Sequence, residues 1–363
     1  MRPPRLGFLG VGWIGRHRMQ AIADAGVAEI VGIADPAPEM ADAARAVAPD
    51  AACVEGLDGL LALGLDGVVI ATPSALHAPQ SIAALRQGVA VFCQKPLGRS
   101  AAEVRGVVEA ARAADRLLGV DLSYRATDAM RRIRAKLREG ALGQVHAVDL
   151  VFHNAYGPDK PWFKDRAQSG GGCLMDLGVH LVDLALWALD FPAVADVSGQ
   201  AFAKGVPLAR DAAQVEDFAL ATITLESGAV LRLACSWWLH AGRDAAISAE
   251  FYGTGGGAAF RNIGGSFYDF EAALFRGTSS ETLATPPDEW GGRTAVEWAT
   301  RLAQSNRFDA SALHFVDVAA VLDRIYASGQ DRIHASTGQE PQSCPAPSSP
   351  AAPASSAARS AAS

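Results

Sequence analysis

Short apolar runs alternate with alanine-rich stretches over the first third of the chain. The runs are four to six residues long and rich in Val and Ile, which is typical of strands buried on both faces. They predict strands at residues 5–9, 29–34, 51–54, 67–71, 89–93 and 117–121. The stretches between them predict helices, among them 13–25, 76–87 and 100–114. This alternation predicts a doubly wound parallel sheet over residues 1–122, a Rossmann-type α/β domain.

The pattern changes after residue 122. A basic helix is predicted over residues 127–139, and longer runs that alternate apolar with polar residues follow it. These runs predict strands at 145–154, 217–226, 229–238 and 245–252. Such alternation favours a mostly antiparallel, open sheet with one buried face, and Gly228 marks a hairpin turn within it. With a last helix over 310–327, the sequence predicts an α+β domain spanning residues 123–335.

The end of the chain has a different composition. Residues 341–363 are Pro, Ala and Ser with scarcely any large apolar side chain. Such a segment buries too little apolar surface to offset the entropy of ordering the chain. A disordered tail is therefore predicted there.

Composition narrows the class of protein. The chain has 363 residues, half of them hydrophobic, and a net charge of −7, which excludes the basic surface that nucleic acids and anionic membranes attract. Glycines interrupt the apolar start, unlike a signal peptide, and no uninterrupted run reaches the roughly 18 to 20 apolar residues of a membrane helix. Five scattered cysteines contain no CxxC pair, which indicates reduced thiols. A soluble cytoplasmic protein of enzyme size is expected.

A glycine motif joins the first predicted strand to the first helix. It reads Gly10-Val-Gly12-Trp13-Ile14-Gly15. In this position the first glycine permits a tight turn, the second lets a pyrophosphate approach the backbone, and the third lets the helix pack on the strand. The helix N-terminus then offers N–H groups and a positive dipole end to phosphates. The motif predicts a dinucleotide site rather than an ordinary glycine-rich turn.

An acidic residue ends the second predicted strand. Asp35 lies twenty residues after Gly15, where a carboxylate accepts hydrogen bonds from the adenosine ribose. Its charge repels a 2'-phosphate, and the following Pro36-Ala37-Pro38 supplies no cation. NAD is therefore expected rather than NADP, unless an arginine arrives from elsewhere. The alternative is an aspartate that only begins a turn.

Polar side chains follow the fourth and fifth predicted strands. Thr72 and Pro73 begin one loop, with His77 just beyond them, and Gln94-Lys95-Pro96 begins the other. Ligands of open α/β sheets bind at this carboxyl edge. Lys95 is therefore expected to project its ammonium into a cleft. His77 is interpreted either as a cofactor or substrate contact or as a structural histidine.

The second domain carries a dense polar motif. Three glycines at 170–172 precede a predicted helix over 173–189, on which Asp176, His180 and Asp183 share one face. Histidine with carboxylates is able to bind zinc, but no second histidine lies nearby, so no metal is predicted. We interpret His180 as a general base oriented by Asp176. A structural, hydrogen-bonded core histidine is the alternative.

Taken together, these motifs resemble the glucose-fructose oxidoreductase, inositol dehydrogenase and rhizopine-catabolism (Gfo/Idh/MocA) family, over residues 10–327. The resemblance implies that Lys95, Asp176 and His180 line the active site. The family's usual glutamate before the lysine is replaced by Gln94, which leaves Lys95 less stabilised as a cation. The family's asparagine is likewise replaced by a serine just before Tyr124 and Arg125, two expected substrate contacts.

The resemblance implies an NAD-dependent oxidoreductase. Its substrate would be a sugar, sugar derivative or cyclitol, whose secondary hydroxyl loses a proton to His180 while Lys95 stabilises the alkoxide. Trp162 is expected to stack on the sugar, and the open sheet of the second domain to form a dimer or tetramer. Two alternatives stay open: a protein that senses NAD and sugar without turnover, and an enzyme that uses tightly bound NAD transiently for glycoside cleavage or redox-neutral transfer.

Overall fold

The computed structural model describes residues 2–209 and 212–328. Strands and helices alternate strictly through the first 120 residues. The strands are β1 (Arg5–Leu9), β2 (Glu29–Ala34), β3 (Ala52–Cys53), β4 (Gly67–Ile70), β5 (Ala90–Cys93) and β6 (Leu118–Val120). The helices are α1 (Trp13–Ala25), α2 (Pro38–Arg45), α3 (Gly56–Leu61), α4 (Ser74–Arg86) and α5 (Ala101–Ala114). The strands are parallel in the order β3-β2-β1-β4-β5-β6, so the predicted doubly wound sheet is confirmed.

The rest of the chain builds a second, larger sheet. Its strands are β7 (Val145–Asn154), β8 (Val194–Ala203), β9 (Val206–Pro207), β10 (Phe218–Leu225), β11 (Val230–Ser236), β12 (Ala245–Gly253), β13 (Gly257–Asn262), β14 (Phe270–Arg276) and β15 (Ser279–Ala284). The helices are α6 (Asp128–Arg138), α7 (Arg166–Ser169), α8 (Val179–Ala188), α9 (Arg293–Gln304) and α10 (His314–Ser328). The order is β15-β14-β13-β12-β7-β11-β10-β8-β9. Every neighbouring pair is antiparallel except β7 with β11, which confirms the predicted α+β class.

One face of the large sheet is buried beneath α8 and α10. In β10 the buried and more exposed positions alternate, as the sequence pattern predicted. Residues 166–188 have the length and mean hydropathy of a membrane span, although Asp176 and Asp183 interrupt their apolar positions. However, 89% of its most apolar window is buried inside the fold, where α8 forms part of the core.

The last two helices return to the first sheet. Trp298 and Leu302 of α9 pack on glycines of β4 and β6, and a Cβ at Gly119 would lie 2.7 Å from the Trp298 ring. Ala319 of α10 joins the other core of the first sheet. Helices α9 and α10, which follow the large sheet in the chain, therefore pack against the first sheet. The predicted division at residues 122 and 123 stays a prediction, and the predicted tail at 341–363 lies outside the described residues.

Candidate active site

The glycine loop between β1 and α1 forms one wall of the cleft. Gly10 has φ +83°, and a Cβ at Gly15 would lie 2.1 Å from the carbonyl oxygen of Gly10, so neither position accepts a side chain without rearrangement. At Gly12 a Cβ would meet nothing within 4 Å. Helix α1 has no side-chain cap and no acidic residue in its first turn. Its unpaired N–H groups and open space fit the pyrophosphate of a dinucleotide.

Asp35 follows β2 and is bound to the same loop. Its Oδ2 accepts a hydrogen bond from the backbone N–H of Val11 at 2.8 Å, and its Oδ1 accepts one from Ala37 at 2.9 Å. These bonds fix the carboxylate beside the glycine loop. Each oxygen retains a lone pair with which to accept a hydrogen bond from a ribose hydroxyl.

A cleft of about 1050 Å³ lies between the two sheets. Most of the predicted site residues line it: Gly12, Trp13, Ile14, Thr72, Pro73, His77, Gln94, Lys95, Tyr124, Trp162, Asp176 and His180. The cleft therefore brings together residues from the ends of β1, β4 and β5 and from α8 and its preceding loop. A nicotinamide cofactor and a small polar substrate both fit a cavity of this size.

Lys95 is held at the centre of the cleft. Its Nζ donates to Oδ1 of Asp176 at 2.6 Å and to the backbone carbonyl of Asp176 at 2.8 Å. The other carboxylate oxygen of Asp176 accepts a hydrogen bond from Trp237 Nε1 at 3.1 Å. An ammonium has three N–H donors, so Lys95 keeps one with which to bind a substrate oxygen.

His180 does not have the partner that its sequence position predicted. Residues Leu174–Gly178 form a π-helical turn, whose wider spacing removes the simple one-turn relation between Asp176 and His180. Both carboxylate oxygens of Asp176 are bound to Lys95 and Trp237, and no hydrogen bond joins Asp176 to His180. The predicted orientation by Asp176 is therefore wrong.

The surroundings of His180 are apolar and cationic. Its ring lies edge-on to Tyr124, with 4.9 Å between ring centroids, and Nδ1 has no hydrogen-bond partner among the described residues. Burial lowers the pKa of His180 well below its ordinary value, and the charges of Lys95 and Arg18 lower it further. The imidazole is neutral at neutral pH, the state in which it accepts a proton.

Arg125 does not line the cleft. Its Nε donates to Oδ2 of Asp183 at 2.6 Å, its Nη2 donates to the other carboxylate oxygen, and its guanidinium lies 5.3 Å from the centre of the Phe191 ring. Asp183 is 1% exposed and Arg125 is partly buried, so the ion pair joins α8 to the segment after β6. The predicted substrate contact at Arg125 is corrected accordingly, because its donors face Asp183.

His77 joins the two loops at the sheet edge. Its Nδ1 lies 2.7 Å from the carbonyl oxygen of Pro96, and its Nε2 lies 2.6 Å from that of Thr72. Burial lowers the pKa of His77. Because both ring nitrogens face backbone carbonyls, His77 fixes the loop shapes and keeps no ring nitrogen for a ligand.

The three glycines before the π-helical turn fit into a crowded space. A Cβ at Gly170 would lie 2.7 Å from Arg99, one at Gly171 would lie 2.0 Å from the Tyr326 hydroxyl, and one at Gly172 would lie 1.8 Å from the backbone oxygen of Glu216. The run is therefore glycine because three other segments of chain pack against it. Its close packing determines where the following Asp176 lies.

Glu216 anchors that run and was not predicted from the sequence. Its Oε1 accepts hydrogen bonds from the N–H of Gly172 at 2.8 Å, the N–H of Leu174 at 2.9 Å and the hydroxyl of Tyr326 at 2.8 Å. Burial raises the pKa of Glu216. In the sequence it is a single acid before a predicted strand, which carries no signal of this role.

Aromatic rings also line the cleft. Trp162 stacks on Phe163 with 3.8 Å between centroids, and Tyr268 and Trp290 line the same cleft. Two tryptophans follow β11: Trp237 is buried against Asp176, while Trp238 is 45% exposed. Rings of this kind stack on the C–H faces of sugars. Among the described residues, no group of three or more His, Cys, Asp or Glu is arranged to hold a metal.

The chain matches two described domain families. Residues 5–122 match an oxidoreductase family with an NAD-binding Rossmann fold, and residues 130–259 match the GFO/IDH/MocA C-terminal domain. Residues 5–122 are therefore an NAD-binding domain. The second match covers most strands of the large sheet and the segment that carries Asp176 and His180.

Named relatives cover much of the chain at moderate identity. The D-glucoside 3-dehydrogenase of Escherichia coli (strain K12) is 28% identical over 210 residues, which is 55% of this chain and 60% of that protein. A putative UDP-kanosamine synthase oxidoreductase subunit of Amycolatopsis mediterranei is 32% identical over 67% of this chain and 71% of its own length. A levoglucosan dehydrogenase solved with NADH and levoglucosan has a TM-score of 0.77 at 22% identity, covering 90% of this chain and 97% of the other.

Proposed function

The chain belongs to the Gfo/Idh/MocA family of oxidoreductases, and from this premise we propose that it is an NAD-dependent dehydrogenase of a sugar, sugar derivative or cyclitol. One observation carries the proposal. In the same cleft as the glycine loop, Lys95 has one unused N–H donor, and the neighbouring His180 has a lowered pKa. A donor beside a neutral base is what removal of a hydroxyl proton requires.

The proposed chemistry divides between these two side chains. His180 takes the proton of the substrate hydroxyl, and the C–H bond of the same carbon breaks as the ketone forms. Lys95, held in place by hydrogen bonds to Asp176, donates a hydrogen bond to the substrate oxygen while negative charge develops on that oxygen. Bound NAD supplies the acceptor for the hydride. The reverse reaction uses protonated His180 as the acid.

The residues around the adenosine end support NAD over NADP. Asp35 lies beside the glycine loop with its carboxylate fixed by two backbone N–H groups. The negative charge of this carboxylate repels a 2'-phosphate. We propose that NAD is the working cofactor, which paired binding titrations with NADH and NADPH test directly.

The aromatic end of the cleft supports a sugar-like substrate. Trp162, Tyr268 and Trp290 line the cleft with aromatic rings, whereas Lys95 and His180 supply the polar groups for the reacting carbon. The relatives named above as acting on D-glucosides and as binding levoglucosan in the crystal agree with this class. These side chains and relatives support the proposed substrate class.

A substrate screen with two variants tests the function. Sugars, sugar acids, glycosides and inositols are offered with NAD, and NADH formation is followed, with NADP as the control cofactor. Lys95→Ala and His180→Ala are each expected to lower kcat by about 100-fold or more, as removal of an acid–base or oxyanion group does. Unchanged turnover in both variants refutes the assignment.

The same screen separates the two alternatives. A sensing protein binds NADH and sugar but forms no NADH with any compound. An enzyme that uses NAD transiently copurifies with cofactor and converts substrate without net NADH. Net NADH formation with an added sugar contradicts both.

We also propose that the open face of the large sheet joins copies of the chain into a dimer or tetramer. Leu220 of β10 is 42% exposed on that face, and Tyr252 of β12 is 37% exposed there. Light scattering during gel filtration measures the mass. A mass equal to that of one chain contradicts this proposal.

A further inference from the structure

A buried carboxylate lies in the wall of the cleft, directly after β6. Asp121 is 1% exposed, and its Oδ2 accepts hydrogen bonds from Arg18 Nε at 2.6 Å and from Gln94 Nε2 at 2.5 Å. Its Oδ1 accepts one from the Thr294 hydroxyl at 2.6 Å. Three elements meet at this carboxylate: helix α1, the end of β5 and helix α9.

Two of the three partners belong to the cleft wall. Arg18 and Gln94 both line the cleft, whereas Thr294 does not. Arg18 is itself 5% exposed, so the cation neutralises the buried carboxylate at close range. A buried charge without such a partner is strongly destabilising. Asp121 therefore fixes the guanidinium of Arg18 at the edge of the cleft.

Asp121 also determines which way the Gln94 amide points. An ionised carboxylate only accepts hydrogen bonds, so the NH₂ group of Gln94 must face it. The Oε1 of Gln94 then faces away from Asp121, and it accepts no hydrogen bond from any residue in the described parts of the chain. Because Gln94 lines the cleft, this acceptor is available to a ligand.

The place of this acceptor in the sheet indicates its ligand. Gln94 follows β5 and Asp35 follows β2, on opposite sides of the central strand β1 and its glycine loop. A dinucleotide that crosses the carboxyl edge with its adenosine half at Asp35 has its nicotinamide half at Gln94.

We propose that Asp121 is a positioning residue for the cofactor. It holds Arg18 in the cleft wall and turns the Gln94 amide so that Oε1 accepts a hydrogen bond from the nicotinamide half of NAD. The inference depends on NAD binding and not on the proposed catalytic roles of Lys95 and His180. A purely structural role, in which Asp121 only ties α1, β5 and α9 together, is the account to be excluded.

Two variants distinguish a cofactor-positioning role of Asp121 from a purely structural role. Asp121→Asn removes the negative charge that holds Arg18 and weakens the acceptor that holds the NH₂ group of Gln94. Thr294→Val removes a hydrogen bond to the same carboxylate but leaves Arg18 and Gln94 bound. NADH affinity by fluorescence titration and the thermal unfolding midpoint are measured for each.

Both variants are expected to unfold at lower temperature than the native chain. Only Asp121→Asn is expected to raise the Kd for NADH, by about 10-fold or more, the size of a lost charged hydrogen bond. Thr294→Val should stay within about 2-fold. A Kd for Asp121→Asn within 2-fold of the native value, or an equal loss in Thr294→Val, overturns the proposal.

Exchanging the amide of Gln94 and the carboxylate of Asp121 gives a second test, which does not depend on either single variant folding well. Gln94→Glu sets two carboxylates against each other, so we expect weaker NADH binding and a lower unfolding midpoint. Asp121→Asn combined with Gln94→Glu restores one donor facing one acceptor, and an oxygen still faces the cleft. NADH affinity should return to within about 3-fold of native, a coupling typical of contacting residues. A double variant as weak as the two single effects combined contradicts the proposal.

Discussion

Removal of one hydroxyl at the end of α10 tests the account of the glycine run. In Tyr326→Phe the ring stays and only the donor to Glu216 Oε1, at 2.8 Å, is lost. Glu216 is 3% exposed, and its two remaining partners on this oxygen are the N–H groups of Gly172 and Leu174. The substitution therefore isolates a single hydrogen bond to a buried carboxylate.

The structure sets the expected magnitude. A hydrogen bond to a charged group contributes about 1.5–3 kcal/mol, and burial prevents water from replacing the lost donor. Donation from Tyr326 lowers the pKa of Glu216, against the larger effect of burial, which raises it. The bond thus stabilises the ionised form. Its loss should be largest above the raised pKa of Glu216 and should shrink as the pH falls through that pKa.

Urea unfolding followed by circular dichroism measures the loss. Tyr156→Phe is the matched control, since its hydroxyl donates to Asp244 at 2.5 Å but Tyr156 is 57% exposed. No measurable change in the free energy of unfolding is expected in the control, because water replaces an exposed partner. A loss below about 0.5 kcal/mol in Tyr326→Phe, or equal losses in both variants, refutes the reasoning.

Three further predictions concern the cofactor and the base. Gly12→Ala should keep the native unfolding midpoint, because the added Cβ meets no atom within 4 Å. The Cβ fills the space beside the N-terminus of α1, so NADH binding should weaken about 10-fold, as measured by fluorescence titration. Because the pKa of His180 is lowered, kcat/KM for oxidation should fall on the acid side only below pH 6.5. Lys95→Met removes a cation near His180, so it should move this fall in kcat/KM to higher pH. The pH profiles of the native chain and the variant test both expectations. Asp35→Ala should raise NADPH affinity relative to NADH; an unchanged ratio of Kd values contradicts the proposed role of Asp35.

Buried strands could be located from the sequence because their pattern is strong. β1, β2 and β7 have the predicted bounds, and the remaining predicted strands differ by one or two residues at their ends. The strands that the sequence did not predict lie toward the edges of the large sheet. In β15 (Ser279–Ala284) the first four residues are exposed, so no alternation of apolar and polar residues marks it.

The pairing of side chains in the site could not be predicted from local sequence patterns. The motif around Asp176 and His180 was recognisable, but the π-helical turn depends on contacts of the preceding glycines with Glu216, far along the chain. Likewise, Asp183 was placed on a polar stripe, whereas its partner Arg125 is 58 residues away. Side chains that are near in space but distant in sequence carry no periodic signal, so their pairing required the fold.

The most direct test of the central claim follows the transferred hydrogen itself. A sugar or cyclitol that supports NADH formation is prepared with deuterium at the carbon bearing the reacting hydroxyl, and the cofactor is analysed by mass spectrometry after turnover. If the chain is a dehydrogenase of secondary hydroxyls, each NADH formed carries one deuterium and the sugar becomes a ketone. NADH without deuterium, or a product with its label retained and no NADH formed, contradicts the account.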